Sequence, residues 1–445
     1  MIYGGIFILP VYPFTYKKIA KMKKINFLLF GMLLVASCSL QSCLQDTCER
    51  EVTYIQQTPI YKTIAEVHNG KVVSEAAKEL CQPGKIYYYN NYLFINEGRD
   101  GVHVIDNSVP SNPQNIAFIS IPGSEDIAIK NGRLLANSYT DLLTINIDDI
   151  YHAKLEQRTE NVFPPIWEDI ANDRVLVYYE SEVITEVLNC ETINLLRTRS
   201  DIIFDEVNVL NSTAGGGQAP QVGISGSMAR FSIVGDYLYV VDNTSLKIFD
   251  IAGDTPSLAN TVALGWGIET IFPYQDKLFI GSNTGMFIFD NSNPTMPTMM
   301  SSFAHISACD PVFIKDDYAY VTLRSGNPCQ GFNNQLDLID ISNLFQPKLI
   351  KSFPMDNPHG LSIKGNNLFL CEGASGLKVF DINDPLKLDN NLLDKVTDFD
   401  AYDVIALPGN ETTLLVIGKD GFYQFDANNP TQLKQISKLQ KQDCQ

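Results

Sequence analysis

The residues best equipped for chemistry cluster in the stretches FAHISACDPVFI, LRSGNPCQGFNNQ, DNPHGLSI and LFLCEG, which supply His305, Cys309, Asp310, Arg324, Cys329, His359, Cys371 and Glu372. Imidazole, carboxylate and thiol can all ligate a transition metal, but the histidines fall in separate repeat units and no His-x-His or HExxH spacing joins them. No metal or cofactor is assigned on that pattern. A Cys371 nucleophile with His359 as base is the covalent alternative. It competes with the place of Cys371 at the end of an apolar strand, where a cysteine is ordinarily a small buried hydrophobe. No catalytic residue is assigned either. The firmer expectation is a Cys309–Cys329 disulfide, which would close a loop of about 20 residues and contribute roughly 3 kcal/mol in the chain-entropy picture. Glu97 with Arg99, Glu125 with Asp126, Met228 with Arg230, and Trp266 with Glu269 stand at equivalent places elsewhere and extend the set to a candidate ligand face.

What brings these residues together is a repeat. GVHVID, SLKIFDI, GMFIFD, QLDLIDI, GLKVFDI and GFYQFD each close on an aspartate, at positions 106, 250, 290, 340, 381 and 426, with a further Asp at 148. Neighbouring copies lie 40 to 50 residues apart, save for the wide interval between 148 and 250. That interval has room for a degenerate third unit, RVLVYYESEVITEVLN (174–189), giving eight units. Each unit reads as four short strands rich in aromatic and β-branched residues, broken by Gly, Asn, Asp and Pro. Four strands in such a period cannot bury their faces alone, and they specify an all-β propeller of four-stranded antiparallel blades. Eight blades are expected, with seven the alternative because unit three departs from the pattern. In a blade with strands a to d from the axis outward, the d-to-a and b-to-c connections share one face, and all the residues named above fall there. The closing aspartates lie on the opposite face, where their side chains can seed turns.

The chain has 445 residues, 45% of them hydrophobic, and a formal net charge of −18, with no Lys/Arg cluster after the leader; nucleic acid is excluded as a partner. Met22-Lys23-Lys24, the apolar run 27–35 and Val35-Ala36-Ser37-Cys38 form a charged start, a hydrophobic segment and a cleavage site. Residues 1–38 are therefore expected to be an upstream extension and signal peptide, with Cys38 the lipidated residue and Cys43 the alternative. No later segment holds 18 uncharged apolar residues. Export to the bacterial cell envelope, with membrane attachment through the N-terminal lipid, follows as an expectation. Residues 39–83 read as a tether and a cap, with a strand over 53–64 and one helix over 64–80, and 84–445 as the propeller. An insertion at about 195–227 carries Gly215-Gly216-Gly217, without the Lys-Ser/Thr of a phosphate loop, and is expected to be a loop over one face. The nine cysteines leave the partners of Cys43, Cys48, Cys81, Cys190 and Cys444 open.

The endings LKIFDI, LDLIDI and LKVFDI, the lipobox-like leader, ACDPVFIKDDYAYVTLRSG and NPHGL resemble the LVIVD-repeat β-propeller lipoproteins of Bacteroidota-type envelopes over about 84–440. The resemblance implies an exported propeller without an assigned catalytic activity, and it supplies no substrate. Two functions are carried forward. One is a non-enzymatic binding or scaffolding protein holding an unknown protein or glycan. The other is a hydrolase or lyase acting on an extracellular polymer through acidic and histidine residues of the shared face.

Overall fold

The structure is a computed structural model that describes residues 49–196, 199, 201–203, 224–227, 229–304, 311–324, 334–409 and 412–444. The chain divides into two compact units. The first comprises residues up to Val52 together with Glu186–Leu196, whose described part is strand ends and the helix Cys190–Leu196. The second comprises Thr53–Thr185 with Arg197–Gln445 and holds the repeat array.

Eight antiparallel sheets form among the described residues, matching the number of units, and seven of them succeed one another about an axis. Their inner strands are Pro83–Tyr89, Ile127–Lys130, Phe231–Val234, Ile268–Tyr274, Val312–Lys315, Leu361–Lys364 and Ala401–Ala406, and each touches the next. The seventh blade returns to the first through Thr413–Gly418 against Pro83–Tyr89. The fold is an all-β propeller, and we number its blades 1 to 7 in chain order. Second strands such as Tyr92–Glu97 and Lys277–Ser282 are buried on both faces because a blade lies on either side, so they read as unbroken apolar runs. Outer strands such as Ser257–Ala263 are largely exposed, and in every blade their pairing with the third strand carries a register shift. Such a bulge increases twist and blunts an edge that could otherwise recruit a foreign strand.

The recurring residues have local causes. Asp106, Asp250, Asp290, Asp340, Asp381 and Asp426 each accept the backbone N–H two residues on, at 2.8–3.0 Å, which nucleates the turn into the outer strand. The glycine opening the third strand is a steric requirement. At Gly101, Gly285 and Gly421 φ is between 140° and 153°, and a methyl group would lie 2.1 Å from the carbonyl oxygen of Ile119, Phe303 or Leu439 in the outer strand.

Three placements differ from expectation. The stretch 174–189 forms one 16-residue strand, Arg174–Asn189, in the eighth sheet with Trp167–Asp169, Glu49–Lys62 and Ile202–Ile203. With no Gly, Pro or Asn-Gly inside it, nothing breaks that run into hairpins. The seven-bladed alternative therefore describes the ring. The helix over 64–80 stops after Ile64–His68, capped by Thr63 and Glu66 at its start and by Asn69 at its end. Val73–Ala76 then adds a strand to the outer edge of blade 1. His68 and Arg158 both engage the buried Asp141 of blade 2, at 3.0 and 2.8 Å, so the lead-in is tied to two blades.

No strand is shared between the ends of the array: blade 1 uses residues 83–120 and blade 7 residues 401–440. Their junction is held in three ways. Ile86, Leu93 and Ile95 pack on Tyr402, Ile405, Leu415 and Phe422. Asn107 and the buried Gln424 exchange two amide hydrogen bonds of 3.0 and 2.7 Å. A Cys81–Cys444 disulfide, spanning 363 residues, joins the segment before the first inner strand to the segment after the last outer one, beside a 2.7 Å bond from Gln442 N to Leu80 O. That pairing was open in the sequence. The Cys309–Cys329 pair lies outside the described residues.

Candidate functional site

The starts of the inner strands converge on one end of the axial channel, so d-to-a and b-to-c loops of different blades meet there. The end of the insertion plugs this mouth. Ile224–Ser225 pairs with Tyr87 and Tyr88 on the axial edge of blade 1. Ser227, buried, then donates its hydroxyl to Asp403 of blade 7 at 3.2 Å and accepts the Leu361 N–H of blade 6 at 2.9 Å. Ala229 O accepts Ile271 N of blade 4, and Arg230 N donates to Asp126 of blade 2. Residues 224–227 and 229–230 thus contact five blades. The expectation of a loop over one face holds no signal for this insertion into the axis, because no local pattern in GISGSMAR marks it. Residues 204–223, including the glycine triplet, lie outside the described part.

Around the plug, charges of alternating sign are paired in a chain. Lys85 meets Asp126 at 2.5 Å, Arg99 meets Glu125 at 2.6 Å, and Arg230 lies 3.9 Å from the same Glu125. Burial pushes the Glu125 carboxyl up, but Arg99 and Arg230 overcome it and hold the group below its ordinary value. Glu269 is the converse case. Burial dominates the opposing pull of Arg230 and Arg324 and raises it to about 7. Arg99 also stacks on Tyr178, 4.4 Å from the ring centroid.

Arg324 and His359, from blades 5 and 6, come together: the guanidinium Nη1 lies 3.0 Å from the imidazole nitrogens. Burial and then the Arg324 charge push the His359 pKa well down, so the ring is neutral and accepts from arginine. Its backbone is fixed by Thr322 Oγ1 and Cys371 O, and its ring packs on Tyr402. This histidine is a structural acceptor with no freedom to serve as a base.

Three other sequence candidates turn inward. Cys371 is fully buried, and burial with Asp403 and Glu372 nearby raises its thiol pKa well above ordinary, which removes the thiolate a nucleophile needs. Glu372 is fully buried and pairs with Lys378 at 2.5 Å. Glu97 accepts from His103 at 2.8 Å and from the backbone N–H groups of Cys81 and Gln82, fixing the turn that carries the disulfide. Their place at strand ends put them in register with the mouth, but burial between blades withdraws them. His305, Asp310, Cys309, Cys329 and Met228 fall outside the described residues, as does Cys38. Among the described residues no group of three or more His, Cys, Asp and Glu side chains is placed to hold a metal.

Trp266 does the opposite. It is 75% exposed on the loop into blade 4, between Gly265 and Gly267 with φ of 106° and 85°. The loop is pinned: Leu264 and Gly265 donate to Thr244 O, Gly267 and Ile268 donate to Asn243 O, and Asn283 N donates to Gly267 O. At Gly267 the φ of 85° favours glycine, and a methyl there would also displace the Asn283 side-chain amide 2.1 Å away. Ser227, Tyr402, Asp403 and Lys85 belong to the mouth but went unmarked in the sequence, since each is an ordinary residue in an ordinary strand or loop.

Residues 217–260, 276–305 and 307–354 match the LVIVD repeat, which here spans blades 3 to 5 and the end of the insertion. Among solved structures, the computationally designed Ika8 protein is 10% identical, with a TM-score of 0.47 over 82% of this chain and 91% of that one. BamB from Moraxella catarrhalis is 7% identical, with a TM-score of 0.46 over 82% and 97%. A functionally unknown protein from Desulfotomaculum acetoxidans is 11% identical, with a TM-score of 0.44 over 80% and 95%. No curated protein matches the chain.

Proposed function

We propose that this LVIVD-repeat β-propeller is a non-enzymatic binding protein that holds a protein or glycan ligand on the plugged mouth of its ring. The observation that carries the reading is the make-up of that face. Loops of separate blades bring Arg99, Glu125 and Arg230 into one chain of charges, Asn243 joins Arg230 to the loop that carries the exposed Trp266, and residues 224–227 and 229–230 reach across the mouth. Among the described residues the stretch that crosses the mouth leaves a broad face, which suits recognition more than turnover. The hydrolase alternative asks His305, His359 and Glu372 to meet in one pocket; His305 lies outside the described residues, and His359 and Glu372 are each buried and engaged by Arg324 or Lys378.

In this reading the protein works at the bacterial cell envelope, tethered by a lipid on Cys38. The lipobox-like leader supports export, and so does the Cys81–Cys444 bond, which persists only in an oxidising compartment. Mass spectrometry of the processed N-terminus tests the anchor: an acylated Cys38 supports it, and an intact or unacylated N-terminus removes it. For the binding face, envelope extracts are passed over wild type, a mouth variant (Trp266→Ala with Arg230→Ala) and a turn-face variant (Ser292→Ala with Phe345→Ala). The reading expects a retained component that only the mouth variant loses. Equal retention by all three proteins, or none above background, contradicts it.

A further inference from the structure

We propose that the mouth ligand is a carbohydrate whose pyranose ring stacks on Trp266, with Arg230, Asn243, Asn283 and Glu269 hydrogen-bonding its hydroxyls. This rests on the reading of the mouth as a binding face and names the ligand class for it. The starting point is a cost. Tryptophan carries the largest apolar surface of any side chain, and leaving it 75% exposed forgoes burial that a propeller of this size could easily supply. The loop does not hold it out by accident of mobility. Five backbone hydrogen bonds to Asn243, Thr244 and Asn283 fix its two glycine-flanked bends. The backbone that carries the aromatic plate is therefore fixed, which limits the loop-ordering entropy lost on binding.

The neighbours decide between ligand classes. Arg230 donates to Asn243 Oδ1 at 3.2 Å and is electrostatically coupled to Glu269. Asn283 packs against Gly267, one residue from the tryptophan. The next loop is shaped by Asp242, which accepts Thr244 N and Ser245 N at 2.8 Å and so presents Asn243 to solvent. An apolar plate ringed by amides, a guanidinium and a carboxyl is the complement of a pyranose, which has an apolar C–H face and a rim of hydroxyl donors and acceptors. A hydrophobic peptide would call for an apolar groove, and the described side chains that meet the Trp266 loop or its Asn243 support, Asn283 and Arg230, are polar. An anionic polymer would call for a cluster of positive charge, and Arg99 and Arg230 both face the ionised Glu125.

Calorimetry of the full chain with cellotetraose, chitotetraose, xylotetraose and mannotetraose tests this, alongside quenching of tryptophan fluorescence. At least one of these neutral oligosaccharides is expected to bind with a Kd below about 1 mM. Trp266→Ala should weaken that binding by roughly tenfold or more, and Trp266→Phe by less, because a smaller ring still stacks. Neither variant should change the melting temperature, as the side chain packs on little. No binding of any of the four by wild type, or equal binding by Trp266→Ala, overturns the proposal. If envelope capture still depends on the mouth while the oligosaccharides fail, the binding face stands and its ligand is a protein. If the sugars bind but capture is unaffected by the mouth variant, the carbohydrate site stands and the wider reading falls.

Discussion

Replacing Cys81 and Cys444 with serine removes the covalent link seen between the ends of the ring among the described residues, and its cost can be worked out from the loop it closes. The bond spans 363 residues. In the chain-entropy picture a loop of that length restricts the unfolded state by about 6 kcal/mol, although native disulfides commonly deliver about 2–4 kcal/mol. Unfolding a ring of about 360 residues carries an entropy near 2.1 cal/mol/K per residue, or about 0.75 kcal/mol per kelvin. The melting temperature should therefore fall by about 3–8 °C. The apolar junction of blades 1 and 7 and the Asn107–Gln424 pair remain, so the variant still folds. Calorimetry of the oxidised wild type, the same protein after reduction, and the double serine variant makes the comparison. Reduction and substitution should coincide, and amide exchange should quicken first in residues 83–120 and 401–440, where the ring opens. Identical melting of all three samples, or two free thiols at these positions in the oxidised wild type, would refute the reasoning.

Three further outcomes are expected. Gly285→Ala places a methyl 2.1 Å from Phe303 O at a φ of 153°, and should cost about 2–4 kcal/mol in urea unfolding; Gly235→Ala, with φ of 59° and nothing within 4 Å, should cost only about 1 kcal/mol. Gln424→Leu strands the Asn107 amide and Pro110 O at the ring junction and should destabilise by about 2–4 kcal/mol, read as a lower denaturant midpoint at unchanged slope. Glu269 has a folded pKa of about 7 against 4.5 for the free side chain, so the fold holds a proton the open chain releases. Its contribution is complete below about pH 4.5 and is lost as pH rises through about 7; Glu269→Gln should flatten that decline by about 1–3 kcal/mol, and an unchanged stability-versus-pH curve would remove the assigned burial.

The blades were readable because their signals are local. An aspartate that accepts from the residue two positions on marks six blades, and a glycine pressed against the outer strand marks four of them. What could not be read depends on closure. Nothing near Cys81 or Cys444 names the other as partner, because the pairing exists only once seven blades have brought chain ends 363 residues apart together. The run 174–189 has blade-like composition, and only its missing interior break marks it as a single long strand. At the mouth, strand-end register located the face but could not separate outward from inward. Glu97 and Glu372 are withdrawn by His103 and Lys378, partners on the adjacent strand, while Trp266 is held out by glycines on both sides.

The central claim is that ligands meet this propeller at its plugged mouth, and photocrosslinking in intact cells reaches it most directly. A photoreactive side chain at Asn243, on the mouth, is compared with one at Ser292, on the turn face beside Asp290. The account predicts a discrete adduct, protein or glycan, from position 243 and none from 292. Adducts from 292 alone, or indistinguishable patterns from both, would contradict it.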